Sequence, residues 1–277
     1  AGPIEQFIVV TLKRQRIGAA SSSSSSSMSF DEMAARIVQL EQQLQSSEEE
    51  NARLKDDNKD LLSICKKEDV QRMKVDLLFT ACDSGDVNNA SRLLAALPEV
   101  NLNTIKWSDD DEGELTLLAH AASKGHAEIC QMLLDRGADA NQRSEGMVVE
   151  SDCSLLGITP LISACRNGHL KVVNVLLAVD GIDVNSRNDD GATALFASCD
   201  MGHLKIVELL LAVDGIEVNQ AEHTEQTPLF MACQNGHSKV VEMLLAVDGI
   251  QVKQAKNKGW TPLTNACDKS HSKIAKM

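Results

Sequence analysis

The sequence has no uninterrupted run of 18 apolar residues, and this absence excludes a helix able to cross a lipid bilayer. Basic side chains are in the minority, with 27 lysines and arginines against 40 aspartates and glutamates, for a formal net charge of −13. Nucleic acids and anionic membranes are bound mainly through basic patches, so this balance argues against both. We therefore expect a protein that binds neither nucleic acid nor membrane.

Sequence motifs that carry catalysis are also missing. There is no G-x-x-x-x-G-K-[ST] phosphate loop, no G-x-S-x-G nucleophile elbow and no H-E-x-x-H zinc motif. Cys-x-x-Cys does not occur either, although the chain has eight cysteines and seven histidines. Most of these residues recur in phase, whereas a catalytic constellation should occur once. We expect no enzymatic activity, no cofactor and no metal site.

What the sequence does have is a repeat of 34 residues. Three residue types mark its phase, a threonine, then a cysteine, then a histidine. They stand at Thr159, Thr193, Thr227 and Thr261; at Cys165, Cys199, Cys233 and Cys267; and at His169, His203, His237 and His271. A fixed period of this size is typical of stacked supersecondary units.

One unit, residues 158–185, shows the local structure that we expect in each repeat. Thr159 can accept a hydrogen bond as the N-cap of a short helix, and Pro160 suits the first helical position. Gly168 can end that helix in the left-handed conformation, which glycine adopts at low cost. His169 then opens a second helix with valines and leucines at helical spacing. The unit therefore predicts two helices followed by a polar loop.

This pattern of helix, turn, helix and loop resembles the ankyrin repeat. The openings TPLISACRNGH, ATALFASCDMGH, TPLFMACQNGH and TPLTNACDKSH follow the family's T-P-L-x-x-A motif, with Ala194 in place of one proline. The resemblance covers residues 70–277 and implies an all-α ankyrin-repeat solenoid of about six repeats, the last truncated. Two insertions, residues 104–112 and 142–156, are expected to be loops.

The resemblance implies a non-catalytic scaffold or adaptor that binds a protein partner through the concave face of its first helices and its loop tips. The alternative is a regulatory or targeting arm of an enzyme whose catalytic domain lies outside this chain. A transcription regulator is a third hypothesis, but the basic helix of a DNA-binding zipper is missing. The last repeat stops inside its second helix at Met277, which indicates a fragment of a longer protein.

The in-phase cysteines are expected to be small core residues. Neighbouring helices lie about 8–10 Å apart, whereas the Cα atoms of a disulfide lie about 4.4–6.8 Å apart. The same distance argues against the in-phase histidines as a metal cluster. Reduced, buried thiols suit the cytoplasm, with the nucleus as a second possibility. The core cysteines are Cys82, Cys165, Cys199, Cys233 and Cys267, whereas His120 and His223 are out of phase and expected on the surface.

Residues 1–27 are predicted to be a disordered leader, because they contain a run of seven serines at Ser21–Ser27. A signal or transit peptide is one alternative. An imperfectly defined gene start, with Met28 as the initiator, is another.

Residues 29–67 have a period of seven, which predicts a coiled-coil helix resembling a leucine zipper. Arg36 would face Glu41, and Glu50 would face Lys55, across a parallel homodimer, and both pairs attract. The alternative is a single amphipathic helix packed on the first repeat, since the seam is only partly apolar. The predicted seam includes Ile37, Leu40, Leu44, Asn51, Leu54, Asn58 and Leu61.

The predicted partner-binding surface combines an apolar stripe with a polar rim. The stripe occupies one in-phase position of the first helix, at which the ankyrin family usually has histidine. Such a surface would suit a helical or extended peptide that carries basic residues. The alternative is that the stripe only fills gaps between adjacent first helices. The stripe is Ile162, Phe196 and Phe230, with Trp260 at one end and Asp189, Asp190, Asp200 and Met201 around it.

Overall fold

The computed structural model of the chain describes residues 67–98, 100–104, 106–109, 113–144, 157–254 and 259–277. The predicted leader, and all but the last residue of the predicted coiled coil, lie outside these residues and stay predictions. Most of the second insertion, residues 142–156, also lies outside them. No helix among the described residues is long and apolar enough to cross a membrane.

The chain forms two compact units. Of the described residues, the first unit contains 67–81 and 88–98, and the second contains 82–87 and those that follow residue 99. Most of helix α1 (Lys67–Ser84) and of helix α2 (Val87–Ala95) belongs to the first unit. Its buried apolar side chains are Leu77, Leu78, Phe79, Ala81, Ala90, Leu94 and Leu97.

The second unit is built from pairs of short helices, as the repeat predicts. The first helices of successive repeats pack side by side in chain order, and the second helices pack in the same order beside them. The first helices are α3 (Leu117–Lys124), α5 (Pro160–Arg166), α7 (Ala194–Met201), α9 (Pro228–Gln234) and α11 (Pro262–Asp268). The second helices are α4 (Ala127–Asp135), α6 (Leu170–Leu177), α8 (Leu204–Leu211) and α10 (Ser238–Leu245). After α11 the structure has only a 3-10 turn at Ile274–Lys276.

Residues 104–112, predicted to be a loop, contribute to a short hairpin instead. Strand β1 (Lys106–Asp109) pairs with β2 (Gly113–Thr116) in antiparallel register, with Trp107 opposite Leu115. The hairpin packs against the start of α3. The described residues are therefore helical with almost no strand, as expected for the predicted solenoid of helix–turn–helix units with hairpin-like loops.

The threonine caps are confirmed in every repeat that was predicted to have one. The Thr159 hydroxyl accepts a hydrogen bond from the N–H of Ile162 at 3.3 Å, and Thr227 accepts one from Phe230 at 3.1 Å. In α7 the cap at Thr193 is retained although alanine replaces the proline. The cap, rather than the proline, is therefore the feature that all of these helices share.

Two described residues other than glycine adopt the left-handed conformation. They are Glu225, with φ of 66°, and Ser270, with φ of 62°. Glu225 lies in a loop whose counterparts in the repeats before and after have Gly191 and Gly259 at the same place, with φ of 84° and 77°. An L-residue in this conformation costs roughly 1–2 kcal/mol, because Cβ approaches the following carbonyl oxygen.

Glu225→Gly is accordingly expected to raise the free energy of unfolding by about 0.5–1 kcal/mol, after the greater backbone entropy of glycine in the unfolded chain is subtracted. Urea denaturation measures this change. Gly259→Ala is the matched control, since a Cβ there meets no atom within 4 Å, and it should be destabilising. A loss of stability in Glu225→Gly would show that the glutamate side chain contributes more than its backbone costs.

Candidate functional site

The in-phase cysteines line the interior of the helix stack, with one exception. Cys82, Cys165, Cys199 and Cys233 are buried as predicted, and so is Cys130. Burial raises the pKa of the Cys165 thiol to about 12, so it stays protonated at neutral pH. The prediction was wrong for Cys267, which is exposed: α11 packs against α9, and no further first helix follows it among the described residues.

The in-phase histidines tie each repeat to the one before it. His169 Nε2 lies 2.8 Å from the carbonyl oxygen of Ser123, in the last turn of the preceding first helix. Since a carbonyl only accepts, Nε2 carries the hydrogen and donates it. The same bond joins His126 to Asp83, His203 to Arg166, His237 to Asp200 and His271 to Gln234, at 2.9–3.1 Å. Their recurrence therefore serves the stacking of repeats.

Each of these rings also lies against the turn glycine of the preceding repeat. A Cβ added to Gly202 would stand 2.5 Å from Nδ1 of His237, and one added to Gly168 would stand 2.6 Å from Cε1 of His203. The glycine is therefore needed both for its left-handed backbone and for the space that the histidine ring occupies. At Gly215, in another turn, no atom lies within 4 Å of the added Cβ.

Asparagine side chains connect successive loops in a similar way. Asn185 Oδ1 accepts a hydrogen bond from the N–H of Glu217 at 2.9 Å, and its Nδ2 donates to the carbonyl oxygen of Gly215 at 2.8 Å. Asn141 and Asn219 make the equivalent pair of bonds to the next repeat. These pairs of hydrogen bonds hold successive loops against one another, so the side chains on the loops start from a fixed backbone.

His120 is buried, contrary to the prediction that it lies on the surface. Its side chain occupies the place on α3 that Ser163 occupies on α5, and it is 7% exposed. Its Nε2 lies 3.4 Å from Asp83 Oδ1, and Lys124 Nζ lies 2.8 Å from the same oxygen. Burial lowers the pKa of His120, although the nearby carboxylate opposes that shift. His223, the other out-of-phase histidine, is exposed as predicted.

The predicted apolar stripe is mostly buried. Ile162 and Phe230 are each only 2% exposed, while Phe196 is half-buried. These exposures favour packing as the role of Ile162 and Phe230, which was the alternative interpretation of the stripe. Of the three side chains, only Phe196 keeps an appreciable surface for a partner.

The ends of the first helices carry the accessible residues of the predicted site. Met201, at the end of α7, is 43% exposed and is one of several large apolar side chains that the described residues expose. Beside it, the Asp200 carboxylate is held by Asn235, whose Nδ2 lies 2.8 Å from Oδ1 and 2.8 Å from the carbonyl oxygen of Asp200. An apolar side chain thus stands next to an oriented negative charge.

The other predicted acidic residues lie on the loops that precede the first helices. We call residues 187–191 and 221–225 the finger loops. Asp189 is exposed and pairs with Arg143, whereas the carbonyl oxygen of Asp190 accepts a hydrogen bond from the N–H of His223 at 2.8 Å. Trp260, 40% exposed, lies directly before Thr261, the N-cap of α11. Within the described part of the chain, no hydrogen bond or ion pair joins these loop aspartates to Asp200.

Comparison with known proteins places these features in a family. A family model described as ankyrin repeats, in three copies, matches residues 52–144, 147–222 and 215–277. The chain is 40% identical over 109 residues to the ankyrin repeat and KH domain-containing protein mask of Drosophila melanogaster, a match that covers 39% of this chain and 2% of that protein.

Two further relatives match over similar lengths. The probable E3 ubiquitin-protein ligase XBOS33 of Oryza sativa subsp. japonica is 36% identical over 100 residues, which are 36% of this chain and 16% of that protein. Protein phosphatase 1 regulatory subunit 27 of Mus musculus is 33% identical over 107 residues, which are 39% of this chain and 58% of that protein. The matched region therefore spans less than two thirds of each relative.

Proposed function

The chain belongs to the ankyrin-repeat family, and from this we propose that it is a non-catalytic adaptor that binds a protein partner through the ends of its first helices and its finger loops. Ankyrin repeats imply a protein–protein interaction role. The observation that supports this surface is Met201, an exposed apolar side chain that stands beside the carboxylate of Asp200.

The partner segment would carry an apolar residue flanked by basic ones. Exposed apolar side chains on a rigid frame are the kind of anchor on which binding energy concentrates. The carboxylates of Asp189 and Asp200 would guide the basic residues and set the register of the segment. Trp260 would contribute at the far end, and Phe196 through its exposed part. Ile162 and Phe230 would support the surface from beneath.

The proposal is tested by Met201→Lys, which places a positive charge at the centre of the surface. We expect the amount of partner captured from cell extract, quantified by mass spectrometry, to fall by about tenfold, because an interface anchor contributes on the order of 1–2 kcal/mol. Stability should barely change, since Met201 is exposed. Leu170→Lys is the matched control, because Leu170 is 37% exposed but lies on α6, a second helix. Equal capture by both variants would contradict the proposal.

A regulatory or targeting arm of an enzyme is the second candidate. It is supported by the names of two relatives, a phosphatase regulatory subunit and a probable ubiquitin ligase, of which the matched region covers only part. In this case the surface is the same, and the enzyme is the partner or is part of a longer chain. Phosphatase or ligase activity that co-purifies with the wild type and is lost in Met201→Lys would support it.

We also propose that residues 29–67 form a coiled coil that joins two chains in parallel, and that the protein works in the cytoplasm. The heptad seam supports the first statement, and the buried protonated thiols suit the second. Charged residues in the seam, as in Leu54→Glu with Leu61→Glu, are expected to convert a dimer to a monomer in sedimentation velocity. A wild-type chain that sediments as a monomer at micromolar concentration would leave a single helix as the better interpretation.

A further inference from the structure

Asp83, in the last turn of α1 and within the second unit, is bound by three side chains of the next repeat. Its carbonyl oxygen accepts the hydrogen bond from His126 that recurs along the stack. Its carboxylate has two further contacts, because Lys124 Nζ lies 2.8 Å and His120 Nε2 lies 3.4 Å from the same Oδ1 atom. We call Asp83, His120 and Lys124 the Asp83 cluster. Its carboxylate contacts are an addition to the bond that recurs.

His120 is the buried member of the Asp83 cluster. It is 7% exposed, whereas the side chains of Lys124 and Asp83 are 46% and 55% exposed. Three titratable groups act on the His120 ring. They are the Asp83 carboxylate from α1, the Lys124 ammonium from α3 itself and the His126 imidazole from the start of α4.

The other elements packed against α3 present neutral side chains. On α5 the hydroxyl of Ser163 donates a hydrogen bond to the α3 carbonyl oxygen of Ala119 at 3.3 Å. In the β-hairpin, the side chains that the structure describes are those of Leu115 and Thr116. The charge balance at His120 is therefore decided by the Asp83 cluster and His126.

A neutral ring suits this place better than a protonated one. A protonated His120 would be a second cation beside Lys124, and both would compete for one oxygen of Asp83. The attraction to that carboxylate is screened, since the Asp83 side chain is largely exposed to solvent. The charge on the ring itself would be held away from water. Burial accordingly lowers the pKa of His120, and the carboxylate opposes that shift without reversing it.

We propose that the Asp83 cluster is an acid-sensitive clasp, which holds residues 82–87 against α3 at neutral pH and releases them when His120 must take up a proton. Once the clasp is open, the ring is solvated and binds a proton at about pH 6.5, as an ordinary histidine does. Below that pH the open form binds more protons than the closed form, so a falling pH favours opening. The inference is independent of the proposed function, because the partner surface lies on other elements.

Hydrogen exchange of the full chain, measured by mass spectrometry and corrected for the pH dependence of the chemical step, tests this release. Between about pH 7.5 and pH 5.5 we expect the protection of α3 and of residues 82–87 to fall severalfold. Helix α9 is the internal control, since it has Met231 at the place of His120, and its protection should not change. His120→Ser introduces the residue that α5 has at Ser163, and it should abolish the pH response of α3.

An NMR titration of the His120 ring separates the effect of the cluster from that of burial alone. Lys124→Gln removes the competing cation and should raise the pKa of His120, whereas Asp83→Asn removes the carboxylate and should lower it. Lys124 is half-exposed, so its variant should fold. Lys239→Gln, at an exposed lysine of α10, is the matched control and should leave the pKa of His120 unchanged.

Three results would overturn the proposal. One is a loss of protection that is equal in α3 and α9, which would indicate general acid destabilisation. Another is a pH response of α3 that persists in His120→Ser. The third is a pKa of His120 that stays the same in Lys124→Gln and in Asp83→Asn.

Discussion

Gly202→Ala is expected to lower the free energy of unfolding by about 3 kcal/mol, whereas Gly215→Ala should lower it by about 1 kcal/mol. Both glycines have left-handed backbones, with φ of 73° and 81°, so both variants incur the same conformational strain. Only at Gly202 does the new methyl group meet another repeat, 2.5 Å from the ring of His237. The difference between the two variants therefore isolates the contact between repeats.

A double variant separates the steric and hydrogen-bonding parts of that contact. In Gly202→Ala with His237→Ala the ring is gone, so the clash disappears, but the bond from Nε2 to the carbonyl oxygen of Asp200 is lost as well. We expect the loss of unfolding free energy in the double variant to be smaller than the sum of the losses in the two single variants, as is typical of directly coupled residues. Urea denaturation supplies all four free energies. If Gly202→Ala and Gly215→Ala lower the free energy of unfolding equally, the His237 ring moves aside at no cost in stability, and the predicted clash is wrong.

Phe230→Ala is expected to lower the free energy of unfolding by about 3–5 kcal/mol, the usual cost of removing a fully buried phenylalanine side chain. The ring is 2% exposed, and the N–H of Phe230 bonds to the Thr227 cap. Removing the ring would therefore leave a cavity in the core. Phe196→Ala is the matched control from the preceding repeat, and it should cost less because that ring is half-buried.

The pair also tests which phenylalanine serves a partner. If Phe196→Ala is mild in denaturation but reduces partner capture, the exposed part of that ring belongs to the binding surface. A mild effect of Phe230→Ala on stability would mean that the ring is not part of the core. In that event the whole stripe, rather than Phe196 alone, would be the better description of the surface.

Local features of the repeat could be predicted because residues close together in the chain determine them. Thr159 caps a helix through the N–H of a residue three positions later, and Gly168 ends it through its own backbone. The roles of His169 and Asn185 depend on partners 46 and 32 residues away, so the sequence alone shows only that they recur. In the sequence, the contact between a histidine ring and the turn glycine of the preceding repeat is indicated only by the recurrence of adjacent glycine and histidine in each repeat.

The candidate site was harder to predict because one periodicity serves two purposes. Ile162 and Phe230 recur in phase whether they pack beneath the surface or form it, and spacing does not distinguish the two. Met201 interrupts the pattern with an apolar residue where neighbouring repeats have Asn167 and Asn235, and the structure exposes it, as it does Trp260. His120 was misplaced for the opposite reason, since a single polar residue in an apolar helix gives no sign of the neighbouring carboxylate that accommodates it.

The row of buried cysteines has a kinetic consequence. Thiol reagents attack the thiolate, and burial both shields these sulfur atoms and raises their pKa, so each should react only when its own repeat opens. Contacts between nearest neighbours make such opening local, spreading from one repeat to the next. Cys267, already exposed, would be modified first, and the rates at Cys233, Cys199 and Cys165 would then record how far fraying travels inward. The cysteines, spaced 34 residues apart, would thus report by their modification rates how often each repeat opens.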